Sequence, residues 1–246
     1  MIIDAHVHIG KRPGGKYFKL MAEDLIERMD RAGVDKACAL PWPEGGREGY
    51  LDNDYIADSV KKYPDRIIGF GCVSAWWRDA KEELRRCVED LGLKGIKLHP
   101  FVHGYPLDEH EIVDPIFDLC AKYRIPIISH GMGDNPFTMP IQFAEMAETF
   151  PEVKLIMAHA GYMFSVGQAR RMIKKHENLY GDTTAIFTGD LKEGIEMCGP
   201  EKWVFGTDGP YGDYEAQIKK VEMAVPDPKG RELILGKNMA AILDIK

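Results

Sequence analysis

His6 and His8, separated by one residue in Ile3-Asp4-Ala5-His6-Val7-His8, are the first groups along this chain able to do chemistry. On a strand, side chains two apart leave the same face, so both imidazoles project together. A rigid pair of neutral imidazole nitrogens is half of a site for a divalent transition metal. Farther along, Lys97 and His99, His130, His159 and Asp208 each stand at the end of a β-rich run. Any one of these histidines alone reads as a hydrogen-bonded core or loop residue. Five of the eight histidines at strand ends, joined by an aspartate, read as a metal centre. A divalent ion held by imidazoles and one carboxylate, with an open position, lowers the pKa of its water to about 7 and polarises a carbonyl. A nearby carboxylate can take the water's proton, and a histidine that is not a ligand can steady developing charge or shuttle the proton.

Such groups converge only if the strands carrying them do. The β-rich runs fall at 2–8, 34–41, 66–73, 95–99, 125–130, 154–159, 179–183 and 203–207. Helical patterns lie between and after them, near 21–32, 52–63, 79–91, 114–124, 141–150, 164–176, 188–198 and 213–223. In the fourth, Asp114 is expected to cap, Pro115 to take the first helical position, and Ile116, Leu119, Cys120 and Tyr123 to form an apolar stripe. Gly33 and Gly92 are expected to end the first and third helices in the left-handed conformation. Eight β–α alternations predict an α/β fold, a (β/α)8 TIM barrel, over residues 1–246 as one domain. A doubly wound sheet is disfavoured because no glycine-rich phosphate turn follows the first strand. Residues 231–243 are amphipathic and are expected to form a ninth helix that closes the outer layer. The strand C-termini then make the site, beneath the glycine- and charge-rich loops 10–16 and 41–49.

The 246 residues carry 45% hydrophobic and 29% charged side chains and a net charge of −7, which suits a soluble globular protein and not a phosphate-backbone binder. The pairs Arg170-Arg171, Lys174-Lys175 and Lys219-Lys220 read as solvated helix faces, so no nucleic-acid partner is expected. The chain offers no apolar run of about 18 residues and starts directly on a strand, so neither a membrane span nor a signal peptide is expected. Five scattered cysteines without CxxC spacing read as reduced thiols of a cytoplasmic protein.

Ordered motifs then carry a resemblance along almost the whole chain. They are Ile3-Asp4-Ala5-His6-Val7-His8, Ala32-Gly33-Val34-Asp35-Lys36-Ala37, Tyr63-Pro64-Asp65-Arg66, Leu93-Lys94-Gly95-Ile96-Lys97-Leu98-His99-Pro100, Ile125-Pro126-Ile127-Ile128-Ser129-His130, Ala158-His159-Ala160-Gly161, Phe205-Gly206-Thr207-Asp208-Gly209-Pro210 and Leu235-Gly236-Lys237-Asn238. The chain resembles the amidohydrolase superfamily, in the amidohydrolase-related branch that includes the aminocarboxymuconate-semialdehyde decarboxylase-like enzymes. The resemblance implies one divalent metal, zinc with manganese as the alternative, bound by His6, His8, His130 and Asp208. It makes His159 the catalytic histidine of a one-metal site or a ligand of a two-metal site, and Asp208 both ligand and proton acceptor. Lys97 either bridges a second metal as a carbamate, as its relatives in two-metal sites do, or binds a substrate carboxylate beside His99; the one-metal form is preferred. Weaker pocket candidates are Asp182 and Thr183 after strand seven, Trp42, Trp76 and Trp77, and Arg12 and Lys16.

The resemblance implies a hydrolase that acts on a small amide, lactone or ester through metal-activated water. The alternative is a decarboxylase or hydratase acting on an unsaturated or aromatic carboxylic acid, because substrate choice lies in loops and not in the metal ligands. A TatD-like nuclease shares the HxH opening and the strand-eight acid, but its Gly-Glu strand motif has no counterpart beside Gly95-Ile96-Lys97. A catalytically inactive binding barrel is the remaining reading, and the filled ligand positions speak against it. Barrels of this branch often form homo-oligomers, with small molecules as substrates.

Overall fold

The computed structural model describes residues 1–12, 18–44 and 49–245, without side-chain placement at 49–51; Lys16 lies outside the described residues. Eight short parallel staves carry the architecture: β1 Ile3–His8, β2 Lys36–Leu40, β3 Ile67–Gly69 continued by Gly71–Cys72, β4 Ile96–Leu98, β5 Ile127–His130, β6 Leu155–Ala158, β7 Leu179–Asp182 and β8 Trp203–Val204. Each pairs in parallel with its sequence neighbour. Within β3, Phe70 N–H donates to Ala39 O and Gly71 N–H to Gly95 O, so this stave joins β2 on one side to β4 on the other. The barrel closes between β8 and β1, where Val7 pairs with Gly209, Ala5 N–H donates to Phe205 O and Asp208 N–H donates to His6 O. The expected (β/α)8 barrel is the observed fold. The strands are near-continuous apolar runs because an all-parallel sheet is covered on both faces.

Helices follow the staves. Helix α1, Ala22–Ala32, buries Ala22, Leu25 and Met29 on one face and ends at Gly33 with φ 68°, as its pattern predicts. Helices α2 Gly49–Lys62 and α3 Ala80–Glu89 come next, and Gly92 beyond α3 is left-handed at φ 69°. A short helix α4, Pro100–His103, absent from the sequence reading, follows β4 directly; His99 caps it by accepting from Val102 N–H. Helix α5 spans His110–Tyr123 and so starts four residues before the expected 114. Asp114 does not cap it; instead it accepts from His110 Nδ1 at 2.8 Å. Pro115 sits inside the helix, where its missing N–H leaves the exposed Glu111 carbonyl to solvent. Helices α6 Pro140–Thr149, α7 Val166–Lys175, α8 Thr188–Cys198 and α9 Tyr214–Ala224 complete the layer.

The C-terminal segment departs from expectation. It runs as helical turns through Pro228–Glu232, Leu233–Lys237 and Asn238–Ile242. Ile234 touches the outer core, but Met239, Ala240 and Ile242 join an inner apolar cluster with Ile3, Ala5, Cys38, Phe70, Ile128, Ile156 and Val204. The segment therefore plugs the barrel under its inner core, because its apolar stripe finds the open strand ends before it finds the helix ring.

That inner cluster is the floor of the site, and a bulge in β1 sets the histidines above it. Asp4 pairs with Ala37 but Val7 with Ala39, so one extra residue enters β1 between them. Ile3 and Ala5 face the inner cluster, while Val7 belongs to the outer one. Without the extra residue, strict alternation would place Val7 inside and His6 and His8 outside.

Candidate metal centre

His6 and His8 converge at the top of β1 with Nε2 atoms 3.4 Å apart. Their other nitrogens are committed. His6 Nδ1 lies 2.7 Å from Asp182 Oδ2 at the end of β7, and His8 Nδ1 lies 2.9 Å from Pro41 O after β2. A carboxylate and a carbonyl only accept here, so both Nδ1 atoms carry the proton and both Nε2 atoms present lone pairs. Asp208, just after β8, adds a third acceptor: its Oδ1 is 3.3 Å from His6 Nε2 and 3.6 Å from His8 Nε2. Three lone-pair donors aimed at one point repel one another unless a cation sits between them. A tetrahedral ion with bonds of about 2.0–2.1 Å sets its donors about 3.3–3.4 Å apart, which these separations match. His6, His8 and Asp208 therefore fit a divalent metal.

His130, the fourth expected ligand, stands at the end of β5 beyond this tight group. Its Nε2 is buried and has no hydrogen-bond partner among the described residues, with Asp134 Oδ1 3.9 Å away. His99 stacks on it at 4.1 Å between ring centroids and 13° between planes. Lys97, fully buried on β4, brings Nζ to 3.4 Å from His6 Nε2. His159 lies 5.2 Å from His6 and 5.0 Å from His130, centroid to centroid. All seven residues expected at the site meet at one end of the barrel.

Burial dominates the electrostatics. It pushes His6, His8, His99 and His159 well below the usual histidine range, with Lys97 and the neighbouring imidazoles adding to the effect. His130 is lowered too, although Asp134 opposes the shift. Lys97 is lowered by burial against the pull of Asp208 and Asp182, and Asp208 is raised by burial to about 7. Neutral imidazoles are the form that binds a metal.

The supporting residues were less visible beforehand. Asp182, fully buried, orients His6 and also accepts from His159 N–H and Thr184. It is neither a helix cap nor a pocket wall. Only a polar run at the end of a β-rich segment, Gly181-Asp182-Thr183-Thr184, hints at it. Thr183 turns away, pairing with Gly206. Trp42 stacks on His8 at 4.9 Å and lines the cavity. Trp77 packs against His103 instead, and Trp76 is exposed. Arg12 reaches the rim, where it donates to Glu44 and Tyr211. The cavity measures about 510 Å³ and is walled by Trp42, Phe101, Tyr162 and Tyr211 over the histidine floor.

The family model described as amidohydrolase matches residues 3–245. The chain is 28% identical to the 2-amino-3-carboxymuconate-6-semialdehyde decarboxylase of Dictyostelium discoideum over 199 residues, 65% of this chain and 55% of that protein. It thus spans about half the length of that relative. It is 25% identical to the gamma-resorcylate decarboxylase of Rhodococcus jostii, over 92% of this chain and 85% of the relative. Among solved structures, it is similar to a dihydroxybenzoic acid decarboxylase from Polaromonas with bound manganese and 2-nitroresorcinol (TM-score 0.80, 16% identity, 99% of this chain and 96% of that one). It is also similar to a TIM-barrel protein from Bordetella bronchiseptica (TM-score 0.79, 20% identity, 99% and 98%). At these identities the structural likeness concerns the fold.

Proposed function

The chain belongs to the amidohydrolase family, and we propose that it is a metal-dependent decarboxylase of a small aromatic or unsaturated carboxylic acid. The observation that carries this reading is Lys97, a fully buried amine beside the three metal donors, at the floor of an aromatic-walled cavity. Asp208 and Asp182 pull on this buried ammonium, but Asp208 would be engaged by the metal and Asp182 by His6, so a substrate carboxylate is the anion that would offset its burial. Both curated relatives described above are named decarboxylases, which supports the lyase alternative over the hydrolysis expected first.

His6, His8 and Asp208 would hold the ion, with His130 completing the set; zinc and manganese both suit these donors. When bound, it supplies positive charge against the substrate's oxygens. Lys97 pairs with the carboxylate. His99 receives the Val102 N–H on Nδ1 at 3.3 Å, so its neutral ring offers Nε2–H as a donor to the substrate. Trp42, Phe101 and Tyr162 orient a planar ring. The C–C bond to the carboxylate breaks, CO2 leaves, and the retained electron pair takes a proton that His159 or Asp208 has first accepted from solvent water.

The test is CO2 release from hydroxybenzoates and unsaturated dicarboxylates by zinc- or manganese-loaded protein, with lactones, esters and amides run in parallel. At least one acid should lose CO2 only when metal is present. Asp208→Asn should lower that rate by about 10²–10⁴-fold. Hydrolysis of a lactone or amide with every acid untouched would return the hydrolase reading.

A further inference from the structure

A neutral histidine in a cavity can accept a proton or donate a hydrogen bond depending on which nitrogen already holds the hydrogen. At His159 that choice is made two residues beyond the end of β7. Asp182 Oδ1 accepts from the Thr184 backbone N–H at 3.0 Å, from Thr184 Oγ1 at 2.6 Å and from His159 N–H at 2.7 Å. The second oxygen, Oδ2, faces His6 Nδ1. Ringed by donors, this carboxylate takes the single hydrogen of the Thr184 hydroxyl. Only lone pairs of Oγ1 then remain to face His159 Nδ1, 2.8 Å away. Nδ1 must carry the hydrogen.

We infer that Thr184 is a positioning residue that relays Asp182 to His159, locks His159 in its Nδ1–H form and presents Nε2 to the cavity as a proton acceptor. The backbone agrees. His159 and Ala160 hold φ of 63° and 42°, left-handed values that residues with a Cβ adopt at a cost. The His159 N–H bond to Asp182 fixes that turn, so one carboxylate sets both the backbone and, through Thr184, the ring. His99 shows the opposite arrangement: a backbone N–H on its Nδ1 leaves Nε2–H to donate. The cavity therefore holds one imidazole built to give a hydrogen bond and one built to take a proton.

The inference rests on His159 acting in the proposed site, yet the tautomer can be read without substrate. Protein labelled with 15N-histidine would be recorded by two-bond 1H–15N correlation, metal-free and zinc-loaded, with His159→Gln identifying the signal. The expected wild-type pattern is a protonated Nδ1 and a bare Nε2. Thr184→Val should shift His159 toward a mixture or the other tautomer, and Thr184→Ser should restore the pattern. Thr184→Ala removes the hydroxyl a second way if valine does not fold. A wild-type Nε2–H signal, or a pattern unchanged once the hydroxyl is gone, overturns the inference. Failure of every acid to decarboxylate would overturn the proposed function and leave these spectra as they are.

Discussion

At the scale of single residues, the site is a set of lone pairs held in place by acceptors behind them. His6 illustrates the dependence. Its Nε2 can serve a metal only while Nδ1–H is directed at Asp182 Oδ2, 2.7 Å away across the barrel. Asp182→Asn conserves size but places either a weaker carbonyl or a second donor against that N–H. Loss of such an outer partner typically weakens metal binding about 10–100-fold. Competition against a chromophoric chelator should show that drop for zinc, and an unchanged dissociation constant would remove Asp182 from its orienting role. This residue also marks where reading the sequence stopped. His6, His8, Lys97, His99, His130, His159 and Asp208 all announced themselves, because a polar group at the end of an apolar run is a local pattern. Asp182 and Thr184 act on side chains 176 and 25 positions away, a relation that no spacing along the chain encodes.

At the scale of elements, strands and helices were legible where one period continued and illegible where a single residue broke it. The bulge in β1 follows from no composition signal, yet it keeps His6 and His8 above the apolar floor. Residue 99 reads as strand by its apolar neighbours, but His99 leaves the ladder to cap α4. Pro115 reads as a helix start because proline favours that position, and the tertiary packing of Val113, Ile116 and Phe117 carries α5 back past it to His110. Helix α8 offers a test of how packing overrides propensity. Glycine to alanine in a helix gains up to about 1 kcal/mol. At Gly189 an added Cβ meets no heavy atom within 4 Å, so Gly189→Ala should stabilise by about 0.5 kcal/mol. At Gly194 it would lie 2.3 Å from Cζ2 of the fully buried Trp203, and overpacking costs about 1–3 kcal/mol. Gly194→Ala should therefore lower stability by about 1–2 kcal/mol, the larger effect winning. Urea midpoints should move in opposite directions; a shift of the same sign in both would show that α8 yields around Trp203.

At the scale of the whole molecule, the centre exists only because the barrel closes. Its three tight donors come from β1 and the turn after β8, the two staves that meet at the seam between Val7 and Gly209. His130 and His159 arrive from β5 and β6, and the helical C-terminal plug supports the floor from below. The unfolded chain has no such convergence, so a metal at the site binds the native state far more tightly than the unfolded chain. The architecture was readable from eight alternations, whereas the plug was not, since an amphipathic stripe does not say which apolar surface it will cover. The coupling between site and seam gives a global prediction. Metal at a free concentration of 100 times its dissociation constant should add about 2.7 kcal/mol to stability. For a chain of this size each kcal/mol raises the melting temperature by about 2–4 °C, so loading should raise it by roughly 5–10 °C. Relief of the mutual repulsion of His6 Nε2, His8 Nε2 and Asp208 Oδ1 is part of that dissociation constant, so at the same free metal concentration the gain should shrink in Asp208→Asn. Calorimetry of chelator-treated protein, then of the same sample restored with zinc or manganese, measures both effects. Identical melting with and without metal would mean that these three donors do not share an ion, and the site would have to work through Lys97 and the imidazoles alone.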